Sequence, residues 1–438
     1  MPSNSKRAGL LASLLSGGFS LFFSAQLFGQ DEAQAEIENP AEAAVVNYRQ
    51  ALAEMQGGYN ESFIEINLDL AATLDELSRF DEAADAYEQA LQTMRIRDGL
   101  YSANQLSLLE RAIDSALMNR DWELVNRNFY IALSVLENSV AISEPEYEQW
   151  VRWFTSWQIA AQRSALDVAE GGSPLEDSVR QYAALMDNLA SDAPDYLEKR
   201  FIYTREKSLA HYFTAMAIYA QPYDEFAASA PETISGQRCY VVIRNGQPTT
   251  ICSNTQVPNP DFFESRQQVK SDALQFQIRQ ILEGYQSLIG ELESTADSSP
   301  ELLVRATLEL GDMNFLLRDL DQARALYSRA HELLVEAGLE ESLGTSLMDL
   351  PRDIIGNMSS DNPRAIGVFA ATPSGLVSFD VTEEGSVQNL GIIGTEADLE
   401  TENQEAITER LRQSAYRPRL EAGIPVSYRF ERIPAADL

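Results

Sequence analysis

Helical periodicity fills the chain from about Ala41 to Leu350 and limits what the chain can fold into. Apolar residues recur there at three- and four-residue spacing, which is typical of helices with one buried face. Such helices bury their apolar faces against one another, so the sequence predicts a mainly α fold with an array of helices over residues 36–350. Short Gly-, Ser- and Pro-containing segments interrupt the stretch: Gly57-Gly58, Gly171-Gly172-Ser173-Pro174 and Ser298-Ser299-Pro300.

Small and aromatic residues recur inside this stretch at a shared spacing. They are Ala71, Ala83, Tyr87 and Ala90 in the first copy, and Gly311, Ala323, Tyr327 and Ala330 in the second. The spacing resembles the tetratricopeptide repeat, in which small residues allow the two helices of a hairpin to approach closely. A degenerate copy with Trp122 and Phe129 follows the first at a longer spacing than is usual in that family. Neither clear copy carries the family's closing Pro, so the sequence predicts stacked helical hairpins more firmly than a regular superhelix.

The first 35 residues have the layout of a secretory signal peptide. Lys6 and Arg7 precede a long apolar stretch, and acidic residues follow it. Cleavage is expected after Gly29 or after Ala35. An uncleaved membrane anchor is the alternative, because the stretch is long enough to span a bilayer, although its glycines and serines weaken it as a span. The sequence therefore predicts an exported protein.

Two β-rich runs on either side of Asn245-Gly246 predict a hairpin over residues 238–253. Asn-Gly favours the type I′ turn because both central residues of that turn have positive φ. A two-residue turn places Cys239 opposite Cys252 at a non-hydrogen-bonded site, where side chains lie closest and where Pro248 loses no ladder bond. Export would expose these residues to an oxidising compartment, so we predict a Cys239–Cys252 disulfide. Two free thiols are the alternative.

After Pro351 the helical periodicity gives way to Gly, Pro and alternating β residues. Asp361-Asn362-Pro363 marks the predicted start of a second domain over residues 363–438. Alternating residues predict strands over 375–381, 386–392 and 426–433. A capping box at Thr401 predicts a helix before the last of these strands. This order predicts a small α+β domain with a three-stranded antiparallel sheet and a helix.

The terminal segment resembles the C-terminal domain of TonB, the periplasmic energy transducer. Its most specific features are Arg417-Pro418 and Gly423-Ile424-Pro425-Val426 before the last strand. In that family the domain binds extended partner segments by strand pairing, which requires an exposed edge strand. The resemblance implies a periplasmic protein that binds a protein or peptide partner through its last strand, unless the helical array or a second copy covers that strand. The candidate binding residues are Val426, Tyr428, Arg429, Phe430 and Arg432.

The sequence carries no motif of a known catalytic or metal site, so we expect neither an enzyme nor a bound cofactor or metal. His211 and His331 lie in predicted helices, where a single histidine is ordinarily a surface or packing residue. The acidic run around Asp81 lacks calcium-loop spacing and fits a solvated helix face. One aromatic group shares a helix face, which predicts core packing rather than a ligand platform: Trp150, Trp153, Phe154 and Trp157.

The formal charge of −34 constrains the partners further. Such a field repels nucleic-acid phosphates and anionic headgroups, so we expect no nucleic acid, and a membrane only if the N-terminal segment stays uncleaved. The leading hypothesis is a non-catalytic periplasmic adaptor that binds protein or peptide partners through a helical-repeat groove and the last strand. A membrane-anchored energy transducer of the TonB type, for outer-membrane transport, is the alternative. An enzyme that uses carboxylates in the groove is another.

Overall fold

The computed structural model describes residues 39–55, 60–164, 166, 174–295, 298–349, 351–354, 376–393, 408, 411 and 414–434. The predicted signal peptide and the predicted start of the second domain lie outside these residues. Within them, no helix is both long enough and apolar enough to cross a membrane. The helices are α1 (Pro40–Glu54), α2 (Glu61–Glu76), α3 (Phe80–Asp98), α4 (Gln105–Asn119), α5 (Trp122–Ser139), α6 (Pro145–Arg163), α7 (Pro174–Asp187), α8 (Tyr196–Ala220), α9 (Asp261–Ser294), α10 (Pro300–Leu316), α11 (Leu320–Glu336) and the short α12 (Thr345–Leu347).

Each helix from α1 to α11 packs against the next one along the chain, even where a β-rich insertion separates α8 from α9. Their buried apolar residues form three clusters, which centre on α1–α4, α2–α8 and α6–α11. Contact between consecutive helices is what stacked hairpins produce, because each hairpin buries its apolar face against its neighbours. The predicted helical-hairpin array is confirmed.

Three hairpins of the array share one turn geometry. Ser78, Arg120 and Arg318 have positive φ angles of 58°, 58° and 68° in the turns from α2 to α3, α4 to α5 and α10 to α11. In each turn the residue after the one with positive φ donates its backbone N–H to the carbonyl five residues before it. The pairs are Arg79 to Leu74, Asp121 to Ala116 and Asp319 to Asn314. This is the Schellman closure of a helix end. These are the hairpins that carry the three copies of the sequence repeat, so the copies also share a backbone geometry.

The repeat residues lie between the two helices of their hairpins. The six small residues of the two clear copies are buried, and so are Tyr87 and Tyr327. A Cβ atom at Gly311 would lie 2.7 Å from the Tyr327 ring, so glycine is required there for the helices to approach this closely. The hydroxyl of Tyr87 donates to Asp75 at 2.9 Å, and that of Tyr327 donates to Asp312 at 3.0 Å.

The aromatic group of α6 is part of the core. Trp150, Trp153, Phe154 and Trp157 are at most 5% exposed. They surround Phe129 of α5, whose ring centroid lies 4.8 Å from that of Trp153 in an edge-on contact. The predicted core packing is confirmed, and the group provides no surface for a ligand.

A long β-hairpin stands between α8 and α9. Its strands are β1 (Thr233–Arg244) and β2 (Gln247–Pro258), and the turn residues Asn245 and Gly246 have φ angles of 52° and 75°. Cys239 faces Cys252 in the ladder, with a Cα–Cα distance of 4.0 Å, and the two form a disulfide. The predicted register is confirmed. Neither strand pairs with any other described strand.

The chain after the array forms short antiparallel ladders. The strands are β3 (Arg352–Asp353), β4 (Leu376–Val381), β5 (Val387–Ile393), β6 (Tyr416–Arg417), β7 (Arg419–Glu421), β8 (Ile424–Val426) and β9 (Tyr428–Pro434). β3 pairs with β6, β7 pairs with β8, and β4 lies between β5 and β9 in a three-stranded sheet. The predicted small antiparallel sheet is confirmed, while most of the helix predicted after Thr401 lies outside the described residues.

Candidate functional site

The last strand lies at the edge of the terminal sheet. β9 pairs with β4 through Val381 to Tyr428 and Phe379 to Phe430, and no other described strand pairs with β9. The outer N–H and C=O groups of an edge strand can pair with a further strand, because only alternate groups face the neighbour inside the sheet. β9 is thus a strand of the described chain on which partner binding by strand addition can be considered.

The side chains of Tyr428, Arg429 and Phe430 alternate between the two faces of the sheet. Phe430 stacks beside Phe379, with ring centroids 4.8 Å apart, and Tyr428 contacts the Phe430 ring edge-on at 5.2 Å. Arg429 points to the other face of the sheet, where its guanidinium lies 3.1 Å from the Asp380 carboxylate and is 53% exposed. The aromatic contacts hold the strand on the sheet, while Arg429 is exposed on the opposite face.

The strand predicted over residues 426–433 is divided in the structure. Val426 ends β8 and pairs with Arg419, whereas Tyr428 begins β9 and pairs with Val381. The backbone therefore leaves one ladder and enters another at Ser427, which alternating residues alone do not reveal. Arg432 lies within β9, but its side chain is outside the described part of the structure. Of the candidate residues, Val426 is thus separated from the edge that Tyr428, Arg429 and Phe430 form.

The terminal region is docked directly on the last helical hairpin. A Cβ atom at Gly385, in the turn from β4 to β5, would lie 2.4 Å from the Phe315 ring of α10. A Cβ atom at Gly423, in the turn from β7 to β8, would lie 2.8 Å from the backbone of Ser328 in α11. Both glycines have positive φ, so each serves a tight turn and a close contact together. Close contacts with α10 and α11 therefore hold the terminal region, which contains the edge strand β9, in place.

A buried group of charges lies beneath this docked region. Arg417 of β6 donates to Asp312 of α10 at 3.1 Å and also to the carbonyl of Leu347. One helical turn before Asp312, the Glu309 carboxylate accepts from the Tyr285 hydroxyl at 3.0 Å and lies 3.7 Å from the Arg205 guanidinium. Buried charges that are paired and hydrogen-bonded fix the arrangement of the elements that carry them.

Burial changes the titration of both carboxyl groups. It raises the pKa of Glu309 to about 7, although the Arg205 guanidinium opposes the shift. It also raises the pKa of Asp312, and here the Arg417 guanidinium opposes the shift. The hydrogen bonds and ion pairs of the two carboxylates connect α10 to α8, α9 and β6. Among the described residues, no group of acidic, histidine and cysteine side chains has the arrangement of a metal site.

A cavity of 740 Å³ lies at the junction between the array and the terminal region. Its size is typical of small-ligand pockets. The side chains of α6, α8, α10 and the β4–β5 hairpin contribute to its wall, and they include Arg163, Tyr212, Phe213, Phe315, Arg318 and Val387. The wall thus combines aromatic side chains with charged residues of both signs, Arg163, Arg318 and Glu384.

The sequence pattern predicts neither the buried charges nor the cavity. One signal was present, since Glu309 and Asp312 interrupt an otherwise apolar and small run from Leu308 to Met313. Two carboxylates at this spacing lie on one helix face, so their presence inside the core face predicts basic partners. Nothing local identifies those partners as Arg205 and Arg417.

No protein-family model matches the chain, and a search of curated proteins finds no significant match. The resemblances to tetratricopeptide repeats and to the TonB C-terminal domain stay predictions that depend on the residues quoted for them.

Proposed function

We propose that the protein is a non-catalytic adaptor that binds a protein or peptide partner by adding a strand of the partner to β9. The position of β9 carries this proposal, because it is an edge strand whose outer backbone groups pair with no described strand. Pairing through the backbone supplies affinity, and the side chains beside it supply selectivity. The helical array would offer a second contact surface.

The location that we propose is the periplasm. Two features support it: the signal-like layout of residues 1–35 and the disulfide between Cys239 and Cys252. Disulfides persist in oxidising compartments and are rare in the cytosol. The mass of the mature protein tests export with cleavage, since removal of the signal would lower it by roughly 3 to 4 kDa.

The support beneath β9 favours recognition over a role in stability alone. Phe430 packs against Phe379 and Tyr428 contacts Phe430, while the outer backbone groups of the strand pair with no described strand. The docking of Gly385 and Gly423 on α10 and α11 holds the sheet in place before binding. Preorganisation of this kind lowers the entropy that binding costs.

Site-specific photo-crosslinking in the producing cell tests the proposal first. A benzophenone amino acid replaces Arg429, which is exposed at the strand edge, and a control replaces Arg127 of α5, which is 55% exposed. We expect a partner that is captured from position 429 and absent from position 127. Identical capture from both positions would contradict binding at β9.

A peptide that covers the captured segment then tests strand pairing itself. Two versions of the peptide carry N-methyl groups on opposite sets of alternate residues. We expect one version to lose binding and the other to keep it, because only alternate amides of an added strand face the edge. If both versions bind equally, side chains rather than backbone pairing hold the partner.

A further inference from the structure

The β1–β2 hairpin has no place in the core of the protein. Its strands are 12 residues each, which corresponds to about 40 Å of extended chain. Near its tip, Tyr240, Val241 and Ile243 are 52%, 65% and 77% exposed. An isolated two-stranded hairpin is marginally stable in water, and here the Cys239–Cys252 disulfide holds the strands together. The disulfide thus stabilises a two-stranded ribbon whose residues do not belong to the core.

The two outer edges of this ribbon differ. The short Cα–Cα distance of the disulfide places the Cys239:Cys252 pair at a non-hydrogen-bonded site, where the backbone groups of both residues point outward. Every second residue from this pair does the same, so β2 presents Pro248 and Pro258 to its outer edge. Proline lacks an N–H, so it cannot donate a hydrogen bond to a strand added at that edge. The corresponding residues of β1 all keep their N–H, since β1 contains no proline.

The hairpin is also positively charged within a strongly acidic protein. No Asp or Glu occurs between Thr233 and Pro258, whereas Arg238 and Arg244 both lie in β1. Residues of equal parity in a strand share one face, so the two arginines flank Tyr240 and Val242 on the same face of the ribbon. A strand added to β1 would meet the pattern basic, apolar, apolar and basic at alternate positions.

A second copy of this chain fits that edge poorly when the two strands pair about Val241, the centre of the segment between the two arginines. Antiparallel pairing of two β1 strands about Val241 would place Arg238 of one copy opposite Arg244 of the other. Like charges that face each other across strands are destabilising. The edge is complementary to a strand with acidic residues where β1 has arginines.

We propose that the outer edge of β1 is a second docking site, distinct from β9, and that it binds an extended acidic segment of a partner as a third strand. The segment carries two acidic residues six positions apart, with apolar residues at the two intervening positions on the same face. The disulfide keeps the ribbon ready for this addition. This site does not depend on the function proposed for β9.

A synthetic peptide tests the site on the purified, oxidised full chain. The probe is a fluorescein-labelled peptide of sequence Thr-Glu-Thr-Val-Thr-Val-Thr-Glu-Thr, and the control peptide has Lys in place of Glu. Fluorescence anisotropy at about 0.15 M ionic strength measures binding, because salt screens the long-range repulsion between the acidic chain and the acidic peptide. We expect saturable binding of the acidic peptide below about 1 mM, and binding of the Lys peptide that is at least about tenfold weaker.

Two matched proline variants identify the edge. Val241 and Thr250 face each other in a non-hydrogen-bonded pair, so neither Val241→Pro nor Thr250→Pro removes a ladder bond. Val241→Pro removes an outward N–H from β1, and Thr250→Pro removes one from β2. We expect the first to abolish peptide binding and the second to leave it unchanged. A thiol assay and circular dichroism verify that both variants keep the disulfide and the helices.

Charge reversal tests the arginines. Arg238→Glu with Arg244→Glu is compared with Arg127→Glu and Arg324→Glu, a pair of exposed helix positions with the same change in net charge. We expect the hairpin pair alone to weaken binding, by about tenfold or more. Absence of saturable binding, equal binding by the two proline variants, or equal effects of the two charge reversals would overturn the proposal.

Discussion

The Arg417 guanidinium lies 3.1 Å from the Asp312 carboxylate, and both side chains are at most 7% exposed. This ion pair joins β6 of the terminal region to α10 of the array. The Tyr327 hydroxyl donates to the same carboxylate, so the repeat and the terminal region share one buried polar centre. The position of the terminal sheet on the array thus depends on residues of the last repeat.

Loss of Arg417 should destabilise the protein strongly. We expect Arg417→Met to lower the free energy of unfolding by about 3 kcal/mol or more, because it leaves the Asp312 carboxylate buried without its cation. Urea unfolding measures the change. The control is Arg419→Met, since Arg419 pairs with Glu421 at a partly exposed site, where such a pair contributes about 1 kcal/mol at most.

A double variant separates the ion pair from general packing. Replacement of both partners, as Asp312→Leu with Arg417→Met, should recover much of the lost stability, because no uncompensated charge stays buried. If the loss of stability of the double variant, relative to the wild type, equals the sum of the losses in Arg417→Met and Asp312→Leu, the two residues are not energetically coupled.

Glu309 should make stability depend on pH. Its pKa is raised to about 7 in the folded protein from an ordinary value of 4.5. Between these values the folded state holds a proton that the unfolded state releases, so the free energy of unfolding falls as the pH rises through this window. The contribution present below pH 4.5 is lost above pH 7, and it amounts to about 3 kcal/mol.

The variant Glu309→Gln isolates this effect, since an amide can still accept from Tyr285 and does not titrate. We expect the stability of Glu309→Gln relative to the wild type to increase between pH 4.5 and pH 8, as measured by urea unfolding. Glu332→Gln, at an exposed position of α11, serves as the control. A constant difference between Glu309→Gln and wild type across this range would show that Glu309 titrates normally.

Local patterns predicted the parts of the fold that adjacent residues determine. Asn245-Gly246 determined the hairpin register, and with it the facing cysteines, because a two-residue turn leaves one alignment of the strands. The spacing of small residues around Tyr87 and Tyr327 located two helical hairpins, because the two helices of each hairpin are adjacent in sequence. These features need no knowledge of distant contacts.

The candidate site depended on distant contacts and was predicted only in part. β9 at the sheet edge follows the alternating pattern, yet the break at Ser427 arises because Val426 and Tyr428 pair with different strands. The contact of Gly423 with α11 depends on how the terminal region docks, and periodicity contains no information about docking. The same is true of the Arg417–Asp312 ion pair.

Replacement by alanine at two helix glycines should change the stability of the protein in opposite directions. Gly311→Ala should destabilise the protein by about 1 to 3 kcal/mol, because the new Cβ would meet Tyr327 ring atoms at 2.7 and 2.8 Å. Gly290→Ala in α9 has open space around its Cβ and should stabilise by up to about 1 kcal/mol through helix propensity. Urea unfolding of both variants measures the contrast. Equal effects would mean that α10 and α11 can separate at Gly311 without loss.

Removal of the disulfide should loosen the hairpin and leave the helical core intact. No residue of β1 or β2 is among the buried apolar residues of the described core, so the array does not rely on the ribbon. We expect Cys239→Ser with Cys252→Ser to accelerate hydrogen exchange of the amides that bond across the ladder within residues 233–258, because two strands alone are marginally stable. Exchange in α8 and α9 and the thermal midpoint of the helices should stay unchanged. A lower thermal midpoint would instead indicate that the ribbon supports the packing of α8 against α9.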